Sequence, residues 1–322
     1  MLSEANIIAR LKTDFPEYIG NDAAVIEQSG SKSYVVTKDI LVEDIHFRLS
    51  YFNPLSLAHK ALHVNLSDIA AMGARPDFIL LGISIPTSKQ TYIENFLTNF
   101  TKLCKEMSAI LIGGDITKSP DKIFISITAI GTALSTHIKY RDTAKINDLI
   151  CVVGNLGAAH LGFMACEKFL AYFKDYKNAF LEPTARTQEG IWLGSQVSVT
   201  SLMDISDGLS IDLKRLCKAS NVQGNIDLDR IKPSEEFRNV CKQLKIDPME
   251  TIVNGGEDYS LLFTVNAADY TELNKCFIER FGYAIKHIGY VAEGKGIKFM
   301  LNGECKDLTF KTKPFLHFGE VI

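Results

Sequence analysis

Apolar residues recur at helical spacing over residues 3–12, and Phe15-Pro16 closes that element. Asn53-Pro54 is a cap and first-turn pair for a second helix reaching about Ala71. Gln90 to Met107 carries the same period through Ile93, Phe96, Leu97, Phe100, Leu103 and Cys104. Between these lie apolar runs too short for helices: Tyr34-Val35-Val36-Thr37, Phe78 to Ile85 stopped by Pro86, and Ile110-Leu111-Ile112 ending in two glycines. Lys122 to Leu134 alternates as a long strand. Residues 135–148 are polar and read as a crossing between two units. Beyond them the pattern restarts with a strand at Leu149 to Val153, then a helix carrying Leu161, Phe163, Met164 and Phe169. A helix capped at Glu182-Pro183-Thr184 runs to about Gln196, a strand covers Thr200 to Met203, and a helix extends to about Cys217. Leu261 to Val265 is a buried strand, and 282–310 reads as short strands with Gly-rich turns. The pattern predicts an α/β (α+β) chain of two domains, 1–138 and 139–322.

Composition narrows the class. A chain of 322 residues that is 46% hydrophobic buries a substantial core. A net charge of −3, without a basic run, argues against nucleic acid as a partner. No apolar run approaches the ~20 residues of a membrane span, which argues against a membrane partner. The start, Met1-Leu2-Ser3-Glu4, lacks the basic region of a signal peptide, and seven scattered Cys without a Cys-x-x-Cys read as reduced thiols. These features together predict a cytoplasmic protein.

The candidate chemistry is acidic. Asp68 stands inside His63–Pro76, a segment otherwise built for burial, where an unpaired carboxylate is costly. A helix-turn cap or a local Arg pair would explain it alone. Asp22, Asp39, Asp115, Asp204 and Asp207 share its character, at element ends and several beside Gly. Asp204, Asp207 and Asp212 together exceed what one helix cap requires. The Gly154-Asn155-Leu156-Gly157 turn either cradles phosphate or packs a strand tightly on a helix; it matches no P-loop. Hard carboxylate oxygens suit Mg²⁺, and several converging on it would gather a triphosphate. Scattered surface turns would give the same sequence, since convergence is a three-dimensional property.

Six motifs stand in order: Gly-Asn-Asp-Ala-Ala (20–24), Thr-Lys-Asp-Ile-Leu-Val-Glu-Asp-Ile-His-Phe (37–47), Asn-Leu-Ser-Asp-Ile-Ala-Ala-Met-Gly-Ala (65–74), Gly-Gly-Asp-Ile-Thr-Lys-Ser-Pro (113–120), Asp-Ile-Ser-Asp-Gly-Leu (204–209) and Gly-Gly-Glu-Asp-Tyr (255–259). With them the chain resembles the thiamine-monophosphate kinases, within the ATP-binding superfamily of aminoimidazole-ribotide synthetase. The resemblance implies an N-terminal α/β domain that forms a barrel-like core across a homodimer, and a C-terminal α/β domain. It implies ATP as phosphoryl donor and co-substrate, several Mg²⁺ ions, thiamine monophosphate as acceptor and thiamine diphosphate as product. Residue by residue, it implies metal ligation by Asp22, Thr37, Lys38, Asp39, Asp68, Asp115, Asp204 and Asp207. Asp68 would be shared among ions, and Asp207 would lie by the transferring phosphoryl group. Gly114, Asp115, Arg141 and Ser206 match nucleotide contacts; His46, Glu257 and Phe315 match the thiamine site. A carboxylate and an aromatic ring suit a cationic thiazolium and a flat pyrimidine.

The chain departs from that pattern in particular places. Asn21 replaces an Asp, Lys38 a small hydroxyl residue, Ile116 a Thr and Lys118 an Arg, while Met107 stands where an aromatic is expected near adenine. A sister enzyme with another acceptor and a non-catalytic ATP-binding relative are the competing readings. Selenophosphate synthetases would want a reactive Cys near the start, but here the first is Cys104. Hydrogenase-maturation relatives would want a C-terminal Cys, and this chain ends Gly319-Glu320-Val321-Ile322. A pseudoenzyme has no need of all the acids.

Overall fold

The computed structural model describes residues 4–28, 30–170 and 172–306. The first half comprises α1 (Glu4–Asp14), β1 (Ala24–Glu27), β2 (Lys32–Val42), α2 (Pro54–Ala71), β3 (Arg75–Ile85), α3 (Gln90–Glu106), β4 (Ile110–Lys118) and β5 (Phe124–Leu134). Its strands form one open sheet in the order β1-β2-β5-β3-β4. α2 and α3 pack against it over Phe47, Leu57, Leu62, Leu66, Ile69, Ile79, Phe96, Phe100, Ile125 and Ile127.

The second half comprises β6 (Leu149–Val153), α4 (Ala158–Glu167), α5 (Lys174–Leu181), α6 (Thr187–Ser195), β7 (Val199–Ile205), α7 (Leu209–Ser220) and β8 (Gln223–Asp227). It continues with α8 (Glu235–Leu244), α9 (Pro248–Asn254), β9 (Ser260–Val265), α10 (Tyr270–Phe281), β10 (Lys286–Ala292), β11 (Gly296–Leu301) and β12 (Glu304–Lys306). These strands make a second sheet, β12-β11-β8-β10-β6-β9-β7. The fold is therefore a mixed α/β chain with two sheets. No helix of the described residues is long and apolar enough to cross a membrane.

α2 belongs to both halves. Asn53 Oδ1 accepts the Leu55 and Ser56 N–H groups at 2.9 Å each, and Ser56 Oγ accepts the Asn53 N–H at 3.0 Å. This reciprocal cap is worth about 1 kcal/mol. Leu62, Leu66 and Ile69 join the first core, whereas Ala70 and Ala71 join the second with Cys151, Leu193, Leu261 and Phe263. Gly190 of α6 lets the two helices touch, because a Cβ there would collide with the Ala70 carbonyl.

Two local expectations fail. The glycines after Ile112 do not end a strand: β4 runs through Gly113, Gly114 and Asp115 to Lys118, paired parallel with β3. Gly114 has φ +155°, and a Cβ there would strike the Leu81 carbonyl, so the glycine serves close strand approach rather than a turn. Nor do Lys38 and Asp39 lie at a strand end; with Thr37 they occupy the middle of β2. Sequence reading also missed α5, β8, α8, α9 and α10, and began α6 too early.

Candidate active site

Three carboxylates from distant segments converge: Asp22 from the turn before β1, Asp68 near the end of α2 and Asp204 in β7. One oxygen of each lies within 4.8 Å of the others. The Thr37 hydroxyl donates to Asp68 Oδ2 at 2.6 Å, and the Ser67 hydroxyl donates to Asp204 Oδ2 at 2.7 Å. Among the described residues one cation meets the group, Arg141, whose guanidinium contacts Asp22 Oδ1 at 2.6 Å. Asn21 Oδ1 accepts the Arg141 backbone N–H at 3.0 Å, so the amide at position 21 fixes the loop that supplies this arginine. Asp22 Oδ2 and Arg141 Nε are buried without a partner.

Burial and mutual repulsion push the Asp68 and Asp204 carboxyls well above the ordinary carboxylate range. Burial pushes Asp39, also in the repulsive field of Asp68, up to about 6. Its backbone N–H donates to Asn65 Oδ1 at 3.2 Å. One arginine cannot neutralise four acids, and one oxygen of Asp22 is buried without a partner. Hard oxygen donors carrying excess negative charge fit Mg²⁺.

Asp204 leads out of β7 into Ser206, Asp207 and Gly208. Asp212, one turn into α7, organises that loop: its Oδ2 accepts the N–H groups of Ser206, Asp207 and Gly208 at 3.1, 3.0 and 3.1 Å. Arg215 contacts Asp207 at 2.5 Å and Asp212 at 2.9 Å. Burial and the neighbouring Asp207 push Asp212 up to about 7, against the pull of Arg215 and the N–H groups. Asp207 keeps a third of its side chain exposed.

Other expected site residues stand apart from the three acids. Lys38 alternates with Thr37 and Asp39 along β2 and its side chain is exposed, leaving only its main-chain oxygen for a metal. Asp115 lies in the cross-strand row of Gly82, Ser126 and Ile40, on the sheet face opposite to Asp39. Three strand spacings, about 14 Å, separate β4 from β2. Within one chain, Gly114 and Asp115 therefore remain on the outer edge. Met107 packs half-buried against the first core, and Ile116 and Lys118 are exposed on β4. His46 follows β2, its Nδ1 accepting the Val42 N–H at 2.9 Å. Phe315 lies outside the described residues.

Glu257 and Asp258 occupy the loop before β9. Asp258 accepts the N–H groups of Gly157 and Ala159 at 2.6 and 3.0 Å, so a carboxylate of the chain itself fills the anion-binding end of α4. That favours a packing role for the Gly154–Gly157 turn. Glu257 pairs with Lys60 of α2, which the sequence reading passed over. An isolated Lys in an apolar helix, far in sequence from its carboxylate, gives no local signal.

Residues 20–133 match the model of the AIR synthase related protein, N-terminal domain, and residues 145–302 match that of its C-terminal domain. The chain with its two sheets is thus an AIR synthase related protein. Thiamine-monophosphate kinase of Buchnera aphidicola subsp. Schizaphis graminum is 34% identical, covering 93% of this chain and 92% of that one. The enzyme of that name from Bacillus subtilis is 30% identical over 93% of each. A solved structure described as AaThiL complexed with AMPPCP and TMP superposes with a TM-score of 0.84 at 30% identity, covering 98% of this chain and 97% of that one. The chain belongs to the thiamine-monophosphate kinase family.

Proposed function

We infer that this protein transfers the γ-phosphoryl group of ATP to the phosphate of thiamine monophosphate, releasing thiamine diphosphate and ADP. The observation that carries this reading is the convergence of Asp22, Asp68 and Asp204 from both halves of the chain, within a family whose members carry that activity in their name. Asp22, Asp39, Asp68 and Asp204, with Thr37 and Asp207 beside them, are the residues that would hold Mg²⁺, joined by main-chain oxygen at Lys38. Bound there, Mg²⁺ supplies neutralisation of phosphate charge.

The protein's own groups position. Thr37 and Ser67 fix the rotamers of Asp68 and Asp204; Asn21 and Asp22 hold Arg141 where a nucleotide phosphate can meet it; Asp212 keeps Ser206 and Asp207 in register. The acceptor is a phosphate oxygen already ionised near neutral pH, so the reaction asks for alignment and charge neutralisation rather than a strong base. His46, Glu257 and Phe315 are proposed to hold the thiamine moiety. Incubation with ATP, Mg²⁺ and thiamine monophosphate, followed by chromatography, should give thiamine diphosphate and equal ADP; ADP alone would mean a different acceptor. Asp207→Asn should lower turnover by about a hundredfold, and an unchanged rate would remove Asp207 from the reaction.

We propose further that the protein works as a homodimer in the cytoplasm, the outer sheet face of one copy covering that of another to build a barrel-like core. Tyr34, Ile40 and Phe124 are exposed there, and β4 is an uncovered edge with Ile110, Ile112 and Ile116 exposed along it. Asp115, on that outer face, would then lie within the interface rather than beside Asp22, Asp68 and Asp204. Sedimentation should show a dimer that Ile40→Asp with Phe124→Asp converts to monomer, with activity lost; a monomeric wild type would end the proposal.

A further inference from the structure

Lys60 is one of the largest fully buried side chains, 1% exposed, in the middle of α2. Its ammonium donates to Glu257 Oε1 and Oε2 at 3.0 and 2.9 Å and lies over the rings of Phe180 at 4.1 Å and Phe52 at 5.3 Å. A buried ammonium is expensive unless paired, and this pair joins the first half of the chain to the second. Glu257 is held from its other side too. Its backbone adopts φ +65°, in the left-handed region, and its N–H donates to the Ser206 carbonyl at 2.7 Å. The main chain of Glu257 is thus tied to the loop of Asp207. Its carboxylate is tied to the helix that bears Asp68, eight residues and about 12 Å along the axis. A third of the Glu257 side chain stays open to solvent.

We propose that Lys60 is a positioning residue for the thiamine substrate. It holds the Glu257 carboxylate at a fixed separation from the phosphate-handling acids, with its open side facing the cationic thiazolium ring. This rests on the placement of thiamine at Glu257 given above. The carboxylate and two aromatic faces form a cation site already filled by the protein's own ammonium, so the substrate's cation meets the outward side of Glu257. Without Lys60, that carboxylate would face two phenyl rings and turn to solvent, and binding would have to order it again. A purely electrostatic role has the opposite sign: removing a cation beside the site would tighten binding of a positively charged ring.

The test measures kcat and both KM values for the wild type, Lys60→Met, Lys60→Arg, Glu257→Gln and the Lys60→Met/Glu257→Gln double variant. Lys60→Met should raise KM for thiamine monophosphate by on the order of tenfold, while kcat and KM for ATP stay within about twofold. The double variant should match Glu257→Gln alone, because Lys60 acts through Glu257, and Lys60→Arg should recover part of the loss. An unchanged or lower KM in Lys60→Met, a parallel loss in kcat and ATP affinity, or additive effects would each overturn the proposal. If Glu257→Gln raises KM and Lys60→Met does not, Lys60 alone is refuted. If Glu257→Gln leaves KM unchanged, the thiamine placement falls and takes this proposal with it. Melting curves separate misfolding from lost affinity, and Lys60→Gln replaces Lys60→Met if the latter does not fold.

Discussion

Asp68→Asn should reduce turnover by about a thousandfold or more while making the metal-free protein harder to melt. Both effects come from one cause. Asp68 is buried among Asp39, Asp204 and Asp22, and its charged form is held there against desolvation and repulsion. Those are the terms that a divalent cation would relieve, so an amide removes the ligand and the strain together. The pH dependence has a definite sign. A carboxyl whose folded pKa is raised stabilises the fold below its unfolded value of 3.8 and loses that contribution as pH rises through the folded value. With Asp39 pushed to about 6 and Asp212 and Asp258 to about 7, the chelated wild type should lose stability between about pH 4 and 7. Asp68→Asn should flatten part of that slope. Calorimetry with chelator and with Mg²⁺ reads the stability, and chromatography of thiamine diphosphate formed reads turnover. A fully active Asp68→Asn enzyme would sink the metal assignment.

Asp212→Ala should destabilise the protein by about 3 kcal/mol and lower kcat about a hundredfold. One oxygen of Asp212 accepts three consecutive backbone N–H groups, and the other meets Arg215. Truncation orphans all of them and frees the loop that carries Ser206 and Asp207. Asp212→Asn keeps an acceptor oxygen and should lose less of both. Urea titration with steady-state kinetics separates the two effects. Full activity in a stable Asp212→Ala protein would mean that the loop holds its shape without this residue.

The period of α2 and its Asn53 cap were legible in the sequence because both are local. Asp22, Asp68 and Asp204 stood out as acids in unsuitable company, but their meeting depends on how α2 packs on β7, which no spacing encodes. Asp115 carries the same motif signal, yet the sheet register sets it on another face. Gly113 and Gly114 misled because glycine breaks a strand in sequence terms, whereas here it admits a neighbouring backbone. Asp212 was visible as one acid too many for a helix cap; its three N–H partners were not. Lys60 gave no signal, since its reason for burial lies nearly two hundred residues away at Glu257.

α2 has a consequence for cooperativity. The helix that bears Asp68 lends Leu66 and Ile69 to one core and Ala70 and Ala71 to the other. Neither half can melt without stripping part of its neighbour's interior, so the two matched segments form a single thermodynamic unit. An ion bound at Asp68 would thus brace both halves at once, and ligand occupancy and global unfolding become two readings of the same equilibrium.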